Sequence, residues 1–210
     1  MAGDTNYHLK EKLFMPTPLG HSIAGLAIWI ASIDRLEPRS KIVRHIPYMN
    51  SNNVFWAILC IFFANVPDID FIHLAPSGGL TVSGVYHHGI VHSIGFTLVL
   101  AMIVSICTSF IDVKLAKPVF SITLVCASTH LLLDTLLFDS YEINGVGLPM
   151  LWPLTEKYFY FPIMTPFDRA NLLAQTNLIA LIQEFLLTGG MCVAAYMFRR
   201  KRLSRLKKLK

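Results

Sequence analysis

Charged residues are scarce in this 210-residue chain, and its cysteines are few. Asp, Glu, Lys and Arg make up 15% of the residues, whereas hydrophobic residues make up 54%. Soluble globular domains carry about 25% charged residues, so the composition excludes an ordinary soluble protein and predicts an integral membrane protein. The cysteines lie in apolar stretches without a CxxC pair, at Cys60, Cys107, Cys126 and Cys192. They predict small buried side chains rather than disulfides or thiolate ligands.

The chain also lacks an internal repeat, a low-complexity linker and a shift in composition. We therefore expect a single membrane-embedded domain over residues 1–210, in which residues 199–210 form a basic cytoplasmic tail. The first apolar stretch begins well inside the chain and is followed by Asp34 and Arg35 without a small-residue cleavage motif. We expect this stretch to remain in the protein rather than to act as a cleaved signal peptide.

Five apolar stretches account for the hydrophobic content, at about residues 16–33, 54–66, 93–111, 118–138 and 172–198. A full membrane crossing needs roughly 20 residues. The last three stretches meet that length, the first is borderline, and the second is short unless residues 65–74 continue it. The predicted fold is an all-α, polytopic membrane bundle of about five membrane-embedded helices.

Lys and Arg are distributed unevenly between the segments that connect these stretches. The segments at 34–53, 112–117 and 199–210 hold fourteen of them, whereas the alternate segments hold four. Because basic residues accumulate in cytoplasmic loops, five spans place the C-terminus in the cytoplasm. Membrane orientation accounts for the basic residues behind the net charge of +5. Because these residues do not interleave with aromatics, we expect no nucleic-acid partner.

Seven potential metal ligands lie at the ends of the apolar stretches: His21, Asp68, Asp70, His87, His92, His130 and Asp134. A charged group in hydrocarbon costs about 2.5–3.5 kcal/mol even on lenient scales, so such residues usually mark a site. With five spans, all of these helix ends lie on the non-cytoplasmic side and face the periplasm or exterior. The seven side chains can therefore converge there.

The spacing within each motif suggests how its side chains are presented. His130 and Asp134 are four residues apart, so on a helix they project from one face. Pro67 is expected to stop the second helix, which leaves Asp68 and Asp70 on an irregular stretch where alternate residues point the same way. Gly89 suggests that the third helix has not begun at His87. Imidazole and carboxylate donors without thiolates favour catalytic Zn²⁺, or Mn²⁺, with one or more ions bound.

Other polar residues have plainer interpretations. His8 and His45 lie in polar segments and are expected at the surface, while His73, which closely follows Asp70, is evenly balanced between surface and site. Glu184 is expected to be a structural hydrogen-bonding carboxylate rather than part of a polar path. The aromatic and proline-rich segment at 141–171 is either an ordinary interfacial belt or a wall of a substrate site.

The order of these motifs resembles the LexA-regulated inner-membrane metal-dependent hydrolases, the YdjM-like family. The resemblance covers about residues 18–155 and is carried by His21, PDID at 67–70, HHGIVHS at 87–93, HLLLD at 130–134 and GVGLPMLWP at 145–153. That family is distantly similar to zinc phospholipase C and P1-type nucleases, which cleave phosphoesters with clustered zinc ions. The resemblance implies that all seven residues above are ligands. Members of that family usually have an Arg at the position that His88 occupies in this chain.

We therefore predict a membrane-bound hydrolase in the bacterial inner membrane that acts on an ester or phosphoester, with lipids as candidate substrates. Its partners would be membrane lipid and a small-molecule or lipid substrate, and the sequence leaves its oligomeric state open. A bound metal would lower the pKa of water toward about 7, with Asp70 as the catalytic base. The alternatives are a transporter or ion-binding protein that uses the same His and Asp residues, and a scaffold with a structural metal.

Overall fold

A computed structural model describes residues 17–36, 51–75, 79–82, 87–136, 140–141, 144–165, 171 and 173–208. The α-helices in these residues are α1 (Pro18–Leu36), α2 (Ser51–Asn65), α3 (Ile94–Ser109), α4 (Val113–Thr135) and α5 (Gln175–Lys208). Short 3₁₀ helices at Val66–Phe71 and Ile90–His92 follow α2 and precede α3. Two small antiparallel hairpins pair β1 (Ile72–Ala75) with β2 (Gly79–Val82) and β3 (Ser140–Tyr141) with β4 (Gly145–Val146). The predicted helical framework is confirmed, and the hairpins are additions in its connecting segments.

Among the described residues, three helical segments are long and apolar enough to cross a membrane: Asn53–Phe71, Val113–Thr135 and Gln175–Lys208. The second apolar stretch reaches this length because the 3₁₀ helix continues α2. The third stretch is shorter than predicted, since α3 has 16 residues and would extend about 24 Å. Five membrane-embedded helices therefore remain a prediction, of which three meet the requirement by length and composition.

Polar side chains fix the start of α3 and of α4. The Ser93 hydroxyl accepts a hydrogen bond from the backbone N–H of Phe96 at 3.1 Å, and the Asp112 carboxylate accepts one from Lys114 at 2.9 Å. Each satisfies a donor that the first helical turn would otherwise leave without a partner. These two caps define where α3 and α4 begin, and the two helices pack against each other.

The hydrophobic core lies between α2 and α4, where Cys60, Phe63 and Ala64 contact Val119, Ile122 and Cys126. Helix α1 packs closely on α2 because Gly25 has no side chain. A Cβ at Gly25 would lie 2.6 Å from the Cys60 carbonyl oxygen. The predicted burial of Cys60 and Cys126 is confirmed, whereas Cys107 is exposed on α3 and Cys192 is half-buried.

Helix α5 connects to the far end of α1 through an ion-pair network. Arg199 Nη2 lies 2.9 Å from Asp34 Oδ1, and Arg202 Nη2 lies 2.7 Å from Asp34 Oδ2. Residues 199–208 of the predicted tail continue α5 as a helix. Because His21 and Asp34 are thirteen residues apart on α1, this network lies about 20 Å along the helix axis from His21.

An aromatic segment, residues 144–165, covers the other end of the bundle. Backbone hydrogen bonds connect Ile94 to Met150, Gly95 to Trp152 and Phe161 to Thr135. These bonds attach the segment to the first turn of α3 and the last turn of α4. Tyr158, Tyr160 and Phe161 expose much of their surface, so the segment presents aromatic side chains beside the end where the predicted ligands lie.

Candidate metal centre

The structure brings all seven predicted ligands together at one end of the helices. His21 lies in the first turns of α1, and His130 and Asp134 lie in the last turns of α4. The remaining members precede α3 or follow α2 on the 3₁₀ helices and their flanks: Asp68, Asp70, His87 and His92. The imidazoles are at most 1% exposed and the carboxylates at most 15%. Ionisable groups are rarely buried together in this way unless they are paired or bind a cation.

Four of these side chains point one atom each at a common point. Their facing atoms are His92 Nε2, His130 Nε2, Asp68 Oδ1 and Asp134 Oδ2, and the distances from each imidazole to the other three atoms lie between 3.0 and 3.8 Å. Tetrahedral zinc with bonds of about 2.0–2.2 Å separates its ligand atoms by about 3.3–3.6 Å. The four atoms thus have the spacing of a zinc ligand set.

Several of these atoms have no hydrogen bond despite their proximity. Asp68 Oδ1, Asp134 Oδ2 and both ring nitrogens of His21 are buried and have no hydrogen-bond partner among the described residues. A buried polar atom without a partner is unfavourable by about 1–3 kcal/mol. A cation bound among these atoms would satisfy their lone pairs at once, so the residues present fit a divalent metal.

The nitrogens that face away from this point lie close to other polar groups, although His92 Nδ1 makes no hydrogen bond among the described residues. His130 Nδ1 donates to the Ala64 carbonyl oxygen at 2.7 Å, which leaves the Nε2 lone pair of the neutral ring directed inward. His87 Nδ1 donates to Asp70 Oδ1, and His92 Nδ1 lies 3.1 Å from Asp70 Oδ2. Such contacts orient metal-binding histidines in many sites.

Asp68 and Asp70 have different surroundings. The prediction of an irregular stretch was wrong, because Val66–Phe71 forms a 3₁₀ helix. With three residues per turn, positions two apart do not point the same way. Asp68 contacts His130 and His92 at their inner nitrogens, whereas Asp70 lies behind His87 and His92.

His88 is a member of the cluster that sequence reasoning did not assign. It is 1% exposed, and one of its ring nitrogens lies within 4.8 Å of ligand atoms of His87 and His92. Its φ of 61° is in the left-handed region, which costs a non-glycine residue of order 1 kcal/mol or more. The four-residue spacing between His88 and His92 was the available signal, but it describes a face only on a helix, and here no α-helix has begun.

Burial and charge act in opposite directions on the imidazoles around α3. Burial, followed by the neighbouring His92 and His87, lowers the pKa of His88 well below its usual value. Burial also disfavours protonation of His92, but Asp68 and Asp70 outweigh it and raise the pKa of His92. The carboxylates therefore favour positive charge at the centre of the cluster, where the four inner atoms converge.

The family model for the YdjM inner membrane protein matches residues 15–203. The chain belongs to that family. Comparison with curated proteins and with solved structures found no match. The family and the three long apolar helices together support a membrane location.

A pocket of about 600 Å³ opens beside the cluster of this YdjM family member. Asp70 belongs to both, since it contacts the histidines and also forms part of the pocket wall. The other lining residues come from the 3₁₀ helix before α3, with its preceding glycine, and from the aromatic segment: Gly89, Ile90, Val91, Asn144, Pro149, Trp152, Glu156 and Tyr158. A substrate bound in this pocket would contact Asp70 and so lie beside the cluster.

The sequence also yields predictions for polar residues outside the seven ligands. Glu184 accepts hydrogen bonds from the Thr17 backbone N–H at 2.7 Å and from its hydroxyl at 2.8 Å, which agrees with a structural role at the start of α1. His8 and His45 lie outside the described residues. His73 lies in β1, but its side chain is also outside them.

Proposed function

We propose that this protein is a membrane-bound, divalent-metal-dependent hydrolase that cleaves an ester or a phosphoester. The observation that carries the proposal is the convergence of His92, His130, Asp68 and Asp134 at ligand spacing, with buried oxygens that have no hydrogen-bond partner among the described residues. Two imidazoles and two carboxylates favour Zn²⁺, with Mn²⁺ as the alternative. Calcium and magnesium prefer all-oxygen sites and fit less well.

The metal would supply a nucleophile at neutral pH and neutralise negative charge that develops on the substrate. The protein would hold it through the four inner atoms, while the Ala64 carbonyl and Asp70 keep the imidazole rings in position. Asp70 also faces the pocket, so it is placed either to orient His87 and His92 or to take a proton from water entering there. The first role rests on direct contacts with both rings.

The pocket supports an amphiphilic substrate. Trp152 and Tyr158 form part of its wall, and the same segment exposes the further aromatic side chains of Tyr160 and Phe161. Its described lining includes the carboxylates of Asp70 and Glu156 and no Lys or Arg. This charge balance disfavours a doubly charged phosphate monoester, as does His88 in place of the Arg that the resemblance implies. A carboxylic ester or a phosphodiester of a lipid suits the pocket better.

The inner bacterial membrane is the proposed location, with the C-terminus in the cytoplasm and the cluster on the opposite side. The fourteen-to-four distribution of Lys and Arg supports this orientation. The ion pairs of Asp34 with Arg199 and Arg202 lie at the end of α1 away from the cluster, as the same arrangement requires. Regulation by LexA and kinship with zinc phospholipase C remain predictions from the resemblance.

A transporter that uses the same residues would need polar groups continuing along a path through the helices. Glu184, a carboxylate that a transporter could use to extend such a path, accepts hydrogen bonds from Thr17 at the start of α1, as expected of a structural residue. This contact supports the enzyme over the transporter.

The test is hydrolysis by detergent-purified protein loaded with Zn²⁺ or Mn²⁺, screened against lipid carboxylic esters and phosphodiesters. We expect product formation that a chelator abolishes and that Asp134→Asn lacks. Asp34→Asn is the matched control, since it removes a buried charge from the other end of α1. If the metal-loaded protein hydrolyses none of these lipids or soluble analogues but carries metal-dependent ion flux in liposomes, the transporter replaces the hydrolase.

A further inference from the structure

The rings of His21 and His130 are stacked, and this arrangement bears on how many ions the cluster binds. Their centroids are 3.7 Å apart and their planes differ by 19°. An imidazole binds a metal along its nitrogen lone pair, which lies in the plane of the ring. Because the two ring planes are nearly parallel, they intersect only along a line much farther from the rings than a metal–nitrogen bond length. One ion therefore cannot lie on the Nε2 lone pairs of both residues.

Both rings nevertheless present Nε2 to the same carboxylate. His21 Nε2 lies 3.3 Å from Asp134 Oδ1, and His130 Nε2 lies 3.0 Å from Asp134 Oδ2. Each imidazole thus has its own oxygen of Asp134. A carboxylate that bridges two metals uses its oxygens in this way, one for each ion.

The spacing of the rings agrees with such a bridge. In two-metal hydrolytic sites the ions are about 3.5–4 Å apart, and the stacked rings are separated by 3.7 Å. If each ring binds one ion in its own plane, the two ions would be separated by about the same distance as the rings.

His21 has no other polar contact that explains its burial. It is fully buried, and neither of its ring nitrogens has a hydrogen-bond partner among the described residues. A merely structural histidine in such a place would be expected to donate to a carbonyl or a hydroxyl. His130 shows that contrast, since its Nδ1 donates to Ala64.

We propose that the cluster binds two ions bridged by Asp134. The first is held by His130, His92, Asp68 and Asp134 Oδ2, and the second by His21 and Asp134 Oδ1. The second ion has fewer protein ligands, so it keeps positions for water or substrate and binds more weakly than the first. The inference rests on the metal site of the proposed function and adds the number of ions and the role of His21.

The test combines metal counting with the magnetic coupling of bound Mn²⁺. Full-length protein purified in detergent is dialysed to equilibrium against known concentrations of free Mn²⁺. Bound metal is then counted by mass spectrometry as the excess over the dialysate, and its magnetic coupling is measured by electron paramagnetic resonance. We expect about two equivalents per chain and a spectrum of exchange-coupled Mn²⁺, since carboxylate-bridged ions lie close together. His21→Ala should retain about one equivalent with the spectrum of an isolated ion.

Two further variants make the outcome specific. Asp34→Asn is the control and should keep both equivalents and the coupling, while His21→Gln preserves more side-chain volume if His21→Ala does not fold. One uncoupled equivalent in the wild type would overturn the second ion but leave a single-ion hydrolase intact. Two equivalents in both His21 variants would overturn the assignment to His21. Absence of metal from folded wild-type protein would overturn the metal site itself.

Discussion

Buried carboxylates lie at both ends of α1, and their surroundings differ. Asp34 receives hydrogen bonds from Arg199 and Arg202 at 2.7–3.3 Å. Asp68 and Asp134 face imidazoles at 3.0–3.8 Å, and each has an inner oxygen without a hydrogen-bond partner among the described residues. Both carboxylate oxygens of Asp34 accept hydrogen bonds from protein donors. The inner oxygens of Asp68 and Asp134 have no such donor among the described residues, so they remain available to bind a cation.

The largest expected effect concerns membrane orientation, with the metal cluster on one side of the membrane and the Asp34 ion pairs on the other. A fluorescent reporter fused after Lys210 should be active in the cytoplasm, because the basic residues around Arg199 favour that side. A reporter inserted near Gly79 should behave as an exported segment, since β2 lies between Asp70 and His87 in the chain. Cytoplasmic behaviour at both positions would contradict the proposed orientation of the cluster.

A second prediction concerns the zinc affinity of the metal cluster. His130→Ala should weaken zinc affinity at least 10–100-fold, the loss typical even of residues that only support a ligand. Competition with a chromophoric chelator measures this change, and His130→Gln provides a variant closer in volume. His8→Ala is the control and should bind zinc like the wild type. Equal affinity in all of these proteins would exclude His130 as a ligand.

Much of this site was predictable from the sequence, because its ligands come from the ends of apolar stretches. The spacing of His130 and Asp134 correctly predicted their contact on α4. The separation of Asp68 from Asp70 was not predictable, because it depends on a 3₁₀ rather than an extended backbone after Pro67. His88 was missed for a similar reason, since its left-handed conformation has no periodic signal. Helix α3 begins one residue after and ends two residues before the bounds of the predicted stretch at 93–111.

A third prediction separates the two roles of Asp70. If it mainly orients His87 and His92, Asp70→Asn should lower zinc affinity about tenfold and reduce turnover in parallel at subsaturating metal. At saturating zinc the turnover should then recover most of its wild-type value. Loss of turnover that persists with the site fully loaded would instead identify Asp70 as the catalytic base, as predicted from the sequence.

The smallest effect is expected at the Asp34 end. Asp34→Asn keeps an acceptor for the two guanidinium groups but removes the negative charge, so it should lower the free energy of unfolding by about 1 kcal/mol. Denaturant titration in detergent measures this loss, and zinc affinity should stay unchanged. A loss of metal binding in this folded variant would mean that the two ends are coupled and that the contrast between them is not local.

The most direct test of this contrast is the metal content of three proteins purified in parallel without chelators: wild type, Asp134→Asn and Asp34→Asn. Mass spectrometry of the metal, normalised to protein, should find a divalent transition metal in the wild type and in Asp34→Asn and little in Asp134→Asn. Folded wild-type protein that stays metal-free after incubation with Zn²⁺ and Mn²⁺, or equal metal in all three proteins, would contradict the assignment of the cluster as a metal centre.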